Sequence, residues 1–241
     1  METYICIPSY ARAEILRDKT LTTLKGLSNI IVFVANEEER VKYVSVIPRT
    51  MYTQIVVGLP GLVEQRHFIQ EWCPVDCNIM MIDDDIEGFE SLREINVGDL
   101  IKYGFERMAS CNCKMWGVSP SANRFFLKDT ESLNLKYIIG CFYGIRNVRP
   151  IIELAYGDNQ EDKERTLRTW VRDGRFMRLN WIAPKTKYYA VGGMLASNPN
   201  RKKDTERFTG LLVTEFPQFV KQIAKKDTFD LRFKRVSQPT P

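Results

Sequence analysis

Asn78-Ile79-Met80-Met81-Ile82-Asp83-Asp84-Asp85 decides how this chain is to be read. Ile79–Ile82 is apolar without alternation, the pattern of a strand covered on both faces. The run then stops at three carboxylates. Adjacent carboxylates at the end of a buried strand repel each other and cost stability unless positive charge neutralises them. On a strand end, Asp83 and Asp85 point to one side and Asp84 to the other. Two carboxylates on one side hold a hard divalent cation and leave positions open for diphosphate oxygens. Such a cation offsets the charge of a departing nucleoside diphosphate. The competing reading is an acidic turn capping a helix that starts near Ile86. The strand before the aspartates favours the metal and nucleotide site.

Working outward, the residues before this run alternate strand and helix patterns. Tyr4–Pro8, Ile30–Val34 and Ile55–Leu59 are short apolar runs. Between them, Ala11–Leu27 repeats Leu16, Thr20, Leu24 and Leu27 at helical spacing, Asn36–Val46 is polar and helix-compatible, and Leu62–Trp72 reads as a third helix. This is the grammar of a Rossmann-like, mostly parallel α/β sheet with flanking crossover helices. Such sheets bind ligands at the carboxyl ends of their strands. Pro8, Ser9, Tyr10 and Arg12 follow the first strand, Asn36 the second, and Asp83–Asp85 the fourth.

Past residue 90 the pattern loosens into a mixed second half. Val97–Ala109 is expected to be a helix, and Lys136–Tyr143 a strand. Glu161–Arg172 is expected to be a helix with Leu167, Trp170 and Val171 buried, and with Glu161–Arg165 and Glu164–Arg168 as i,i+4 ion pairs on its wet face. Asn198–Arg207 reads as a basic loop and Phe216–Ala224 as a closing helix. These patterns give a single domain over 1–241, with a nucleotide-binding half (1–90), an acceptor half (91–235) and a flexible tail (236–241).

The 241 residues are 44% hydrophobic, enough for a sizeable core, and carry a net charge of +5. That mild excess favours anionic partners such as nucleotides or nucleic acid. The first residues lack a basic region followed by an apolar stretch, so no secretory signal is read there. No apolar run approaches the ~20 residues that cross a bilayer. A cytoplasmic protein without a membrane partner is expected. Cys73-x3-Cys77 and Cys111-x-Cys113 match zinc knuckles poorly, and free thiols are expected.

The aspartate triplet after its strand resembles the Asp-x-Asp motif of the GT-A glycosyltransferases. The ordered set Ile7-Pro8-Ser9-Tyr10-Ala11-Arg12, Ile30–Val34, Gly61 with Arg66, and Ile82-Asp83-Asp84-Asp85-Ile86 resembles one branch more closely. That branch is the TET/JBP-associated glycosyltransferases, typical of bacteriophage and their relatives. The similarity runs on through Trp116-Gly117-Val118, Glu161-Asp162 and Gly192-Gly193-Met194. It implies a GT-A fold and transfer of a sugar from a nucleoside-diphosphate sugar, a UDP-sugar, to a hydroxymethylated pyrimidine in DNA. The implied cofactor is a divalent metal, Mn2+ or Mg2+, and a phage-encoded chain would work in the host cytoplasm.

Residue by residue, the resemblance implies that Asp85 ligates the metal and that Asp83 shares it or meets the ribose. Pro8, Ser9, Tyr10, Arg12, Asn36, Arg66 and Asp84 would line the nucleotide-sugar pocket. Asp162, at the start of its helix, would take the proton from the acceptor hydroxyl. Trp116, Tyr143, Trp181, Gly192 and Gly193 would face the acceptor, the aromatics stacking on a sugar or an extruded base. Core packing is the competing role for those rings. The family's late-loop histidine ligand has no counterpart, because the chain has no histidine beyond His67. Asp204, Asn198 or a water would take its place. Two other readings stay open: a GT-A enzyme acting on a glycan, lipid or protein, and an inactive module of the same fold that binds nucleic acid or protein.

Overall fold

The computed structural model describes residues 1–186, 201–225 and 228–236. Its first four strands are β1 (Thr3–Pro8), β2 (Ile30–Val34), β3 (Gln54–Val57) and β4 (Asn78–Ile82). Every residue of β2 and β4 is buried, as unbroken apolar runs require. Helix α1 (Ala13–Leu16) continues into a wide π turn over Arg17–Leu21. α2 (Glu37–Val46) starts where the Asn36 side chain accepts from Glu39 N at 2.9 Å, a capping bond that fixes the turn after β2. α3 (Leu62–Trp72) follows Gly61, whose φ of 92° suits glycine alone at that turn.

These strands pair in parallel in the order β3-β2-β1-β4. The chain winds outward from β1 to β3, then crosses back to set β4 on the other side of β1. At such a reversal a crevice opens beyond the carboxyl ends of the two central strands. The sheet then continues into the second half through β8 (Phe142–Arg146), antiparallel to β4, and on to β6 (Met115–Val118), β9 (Met177–Leu179) and β7 (Glu131–Ser132). β5 (Ile86–Ser91) leaves this sheet and pairs antiparallel with β10 (Ile182–Thr186). A strand therefore follows the aspartates, and the helix-capping reading of them falls.

Two layers of helix cover the sheet. α1, α2 and α4 (Val97–Ser110) pack on one face through Leu16, Tyr43, Leu100 and Phe105. α3 and α5 (Glu161–Asp173) pack on the other through Ile69 and Trp170. A fully buried Trp116 fits under α4 because Gly104 and Gly144 lack the Cβ atoms its indole would strike. All six cysteines are free thiols. Among the described residues, no helix is long and apolar enough to cross a membrane.

The second half corrects several expectations. The strand near Lys136–Tyr143 is instead Phe142–Arg146, because pairing with β4 begins at Ile82 opposite Phe142. Residues 201–207, expected in a loop, open helix α6 (Arg201–Glu215). The closing helix over Phe216–Ala224 is instead a hairpin, β11 (Val220–Lys225) with β12 (Thr228–Phe233). Pro217 disfavours helix at the residue before it and so ends α6 at Glu215. The hairpin then buries Val220 and Leu231 against Leu167 of α5. On α5 Val171 is exposed, while Leu167 and Trp170 are buried as expected. Both i,i+4 ion pairs form, yet Glu161, Glu164 and Arg165 are buried, so that face is not wet. Gly192, Gly193, Asn198 and the tail 237–241 lie outside the described residues.

Candidate active site

Ser9 and Arg12 leave β1 at the crevice, and Asp83–Asp85 leave β4 beside them. Asp84, 6% exposed, accepts from Ser9 Oγ at 2.6 Å and from Arg12 Nη1 at 3.1 Å. Since Ser9 gives its one proton to Asp84, the Tyr43 hydroxyl 2.7 Å away donates to Ser9 Oγ. Tyr43 in turn accepts from Arg12 N at 3.0 Å. Tyr43 is the buried residue of α2, and its place in this relay has no signal in an otherwise polar helix. Thr20, on the π turn, locks the aspartate turn by donating to Asp83 O at 2.8 Å and accepting from Ile86 N at 2.9 Å.

Asp83 points to the opposite face of the sheet. Arg66 of α3, 3% exposed, donates from Nη2 to Asp83 Oδ1 at 2.6 Å and to Gly140 O at 2.8 Å. Its Nη1 donates to Glu161 at the start of α5, whose other oxygen takes Arg165 Nη1. The Tyr143 ring lies beneath both guanidinium groups, at 5.6 Å from Arg66 and 3.7 Å from Arg165. A Cβ on Gly140 would collide with Glu161 and crowd Arg66 and Asp162, so a glycine lets these groups meet. Burial works against the charge on Arg66, but Glu161, Tyr143 and Asp83 hold its pKa well above the usual value.

Alternation thus separates Asp83 from Asp84 as strand geometry requires, but not Asp85 from Asp84. The strand ends at Ile82, and the turn brings Asp85 to 3.5 Å from Arg12. The charge that the triplet demands comes from two arginines, which the sequence reading assigned to a metal. Burial raises Asp83 to about 7, with Arg66 opposing and Asp85 and Asp84 adding to it. A third of its side chain meets solvent, which screens part of that shift. Burial likewise raises Asp84 to about 6 against Ser9 and Arg12.

Both folded values lie above the 3.8 of an unperturbed aspartate, so the folded chain binds these protons more tightly than the unfolded one. Their contribution to stability is complete below about pH 4 and is lost as pH rises through 6 and 7. Without divalent cations, the thermal midpoint is expected to fall between about pH 5 and 8. A midpoint flat across that range in EDTA would contradict this account.

Asp162 occupies the first turn of α5. Its Oδ2 accepts from the Tyr137 hydroxyl and its Oδ1 from Lys163 N at 2.8 Å. Burial, with Glu161, raises its pKa, while Tyr137, Lys163 and Arg165 oppose the rise. Asp83 N donates to Cys141 O at 2.9 Å, which sets the end of β4 against the Gly140-Cys141 segment. Gly140 packs against Asp162 and its carbonyl accepts from Arg66, which also holds Asp83, so the helix carboxylate lies near the start of the triplet. Tyr137 is a site residue that the sequence did not single out.

The other expected residues divide. Tyr10 stands 49% exposed at the mouth of the crevice, and Asn36 is an exposed cap. Trp116 and Trp181 are 0% and 1% exposed and belong to the core, so they have no face for an acceptor. Tyr143, at 1%, is covered by the two arginines. Among the described residues, no three His, Cys, Asp or Glu side chains converge as a metal cage.

No family model and no curated relative matches the sequence. Solved structures do match. Glucosyl-3-phosphoglycerate synthase from Mycobacterium tuberculosis, in complex with Mn2+, UDP and phosphoglyceric acid, superimposes with a TM-score of 0.53 at 11% identity, over 98% of this chain and 88% of that one. The same enzyme with Mg2+ and UDP gives 0.50 at 11% over the same shares. UDP-glucose pyrophosphorylase complexed with UDP-glucose gives 0.49 at 9%, over 77% and 92%. The fold is GT-A-like. At these identities the likeness concerns the fold, and what the neighbours bind is a property of the neighbours.

Proposed function

We propose that this chain is a metal-dependent glycosyltransferase that uses a nucleoside-diphosphate sugar, with the crevice between β1 and β4 as its donor site. The observation that carries the reading is the meeting of Ser9, Arg12, Asp84 and Asp85 at the sheet's reversal point, with Asp83 turned to Arg66, which shares Gly140 with Asp162. A GT-A-like fold whose solved neighbours include UDP complexes supports it.

The donor set suits a hard divalent cation, Mn2+ or Mg2+. Asp85 keeps only a loose 3.5 Å approach to Arg12, and Asp83 gives a single oxygen to Arg66. Asp85 would hold the ion, Asp83 being turned to the other face towards Arg66, and diphosphate oxygens and water would complete its shell. When bound, the metal would stabilise negative charge on the departing nucleoside diphosphate. Arg12 and Arg66 hold the aspartate turn in place, and Tyr10 offers an exposed ring to the base. Asp162 takes the proton of the acceptor hydroxyl as its oxygen bonds to the anomeric carbon. The bond to the diphosphate breaks with its electron pair. The Tyr137 hydroxyl, bonded to Asp162, keeps that carboxylate aimed.

For the acceptor, the motif resemblance to the TET/JBP-associated enzymes supports a hydroxymethylated pyrimidine in DNA, and the net charge of +5 agrees with an anionic polymer. Incubation with hydroxymethylcytosine-containing DNA and a panel of donors should add a hexose or pentose mass to the released nucleoside. No added mass with any donor removes the DNA acceptor and leaves glycan, lipid or protein acceptors.

The donor site is tested by thermal shift with sugar nucleotides. At least one donor should stabilise the protein in the presence of manganese and fail to do so in EDTA. Asp85→Asn should erase that metal-dependent shift while leaving the unliganded midpoint within about 2 °C of wild type, since it gives up only a 3.5 Å approach to Arg12 and relieves repulsion with Asp83 and Asp84. No stabilisation by any donor would favour the inactive binding module.

A further inference from the structure

On the α3–α5 face of the sheet a cleft of about 600 Å³, open mouth included, runs along β8 away from the aspartates. Val63 of α3, Ile145 of β8 and Leu154 form apolar walls. Arg66, Arg165 and Arg172 line it from the two helices, and Lys114 and Arg146 from the strand ends. Glu161 is the one carboxylate in its lining.

Acids near the rim answer some of this charge: Asp173 lies 3.4 Å from Lys114 and 2.7 Å from Arg172, and Asp76 lies 3.7 Å from Arg146. Arg165 is different. Its side chain is 8% exposed, and its Nη1 goes to Glu161 while its plane rests on Tyr143. Its Nε and Nη2 are buried with no hydrogen-bond partner. Buried guanidinium N–H groups without an acceptor are costly, and a tetrahedral oxyanion supplies acceptors to a guanidinium fork and its neighbours together.

The geometry points to a second ligand site in this cleft, taking the phosphate group of a small molecule. Arg165 is its inner donor, and Lys114 and Arg146 are its rim. The proposal stands apart from the glycosyltransferase reading, because it invokes neither metal nor donor sugar.

The test is calorimetric titration of inorganic phosphate into the whole chain in EDTA, which disables metal-dependent binding at the crevice. Wild type and Asp85→Asn should bind phosphate alike. The double variant Lys114→Gln/Arg146→Gln should bind at least tenfold more weakly. Both replaced side chains are partly exposed; Asp76 opposite Arg146 is 72% exposed, and the buried Asp173 opposite Lys114 keeps Arg172 at 2.7 Å, so that variant leaves no buried charge unpaired. An unchanged thermal midpoint verifies that it folds. No phosphate binding in wild type, equal binding in the double variant, or loss of binding in Asp85→Asn would each overturn the proposal.

Discussion

Arg66→Met is expected to destabilise the protein by about 3–5 kcal/mol, the usual consequence of removing one partner from a buried ion pair. The guanidinium joins Asp83, Gly140 O and Glu161, and Glu161 lies 95 residues away in sequence. Without it, Glu161, 4% exposed at its side chain, keeps only Arg165 of its two arginines, and Asp83 loses its counter-charge beside Asp84 and Asp85. Arg66→Lys should recover part of the loss, because an ammonium restores the charge but cannot fork to three acceptors. Arg66→Met/Glu161→Gln should also recover part, since both ends of the pair are then neutral. Urea denaturation measures each variant, with the slope checked for an unchanged denatured state. A loss below about 1 kcal/mol for Arg66→Met would mean that the network holds nothing together, since typical surface substitutions stay within about 0.5 kcal/mol.

The second large effect is on turnover. Asp162→Asn should lower kcat by about 10²–10⁴, the range attributed to a positioned general base. Donor binding and the folding midpoint should stay near wild type. Asparagine still offers one acceptor oxygen to Tyr137 or to Lys163 N, so the start of α5 keeps its shape. Turnover retained within tenfold would remove Asp162 from the chemistry and leave it a helix-start carboxylate. Loss of donor binding together with turnover would instead place it in the donor pocket.

The first half of the fold was legible because its strands are buried on both faces. Ile30–Val34 and Asn78–Ile82 needed only a reading of apolar runs, and each stands in the structure with the same bounds. The second half hid itself for a physical reason: β6, β7 and β9 have four, two and three residues, too few for a period to register. Their existence depends on partners distant in sequence. In the site, the aspartates and Ser9 and Arg12 could be placed at strand ends, but the arginines' task could not. A pair such as Glu161–Arg165 looks like a solvated i,i+4 bridge until Arg66 arrives from another helix and seals it. The misplaced aromatics have the same origin. Nothing near Trp116 in sequence announces that Gly104 and Gly144 will make room for its ring.

The opposed directions of Asp83 and Asp84 also bear on what this chain would keep if it ever lost its activity. Asp84 ties the β1 loop to α2 through Ser9, Tyr43 and Arg12, and Asp83 ties α3 to α5 through Arg66 and Glu161. A descendant freed from catalysis would still need both to stay folded, so their presence records ancestry and architecture more than chemistry. Asp85 and Asp162 are under weaker structural obligation. They are the positions at which a drifting copy of this protein should first show its idleness.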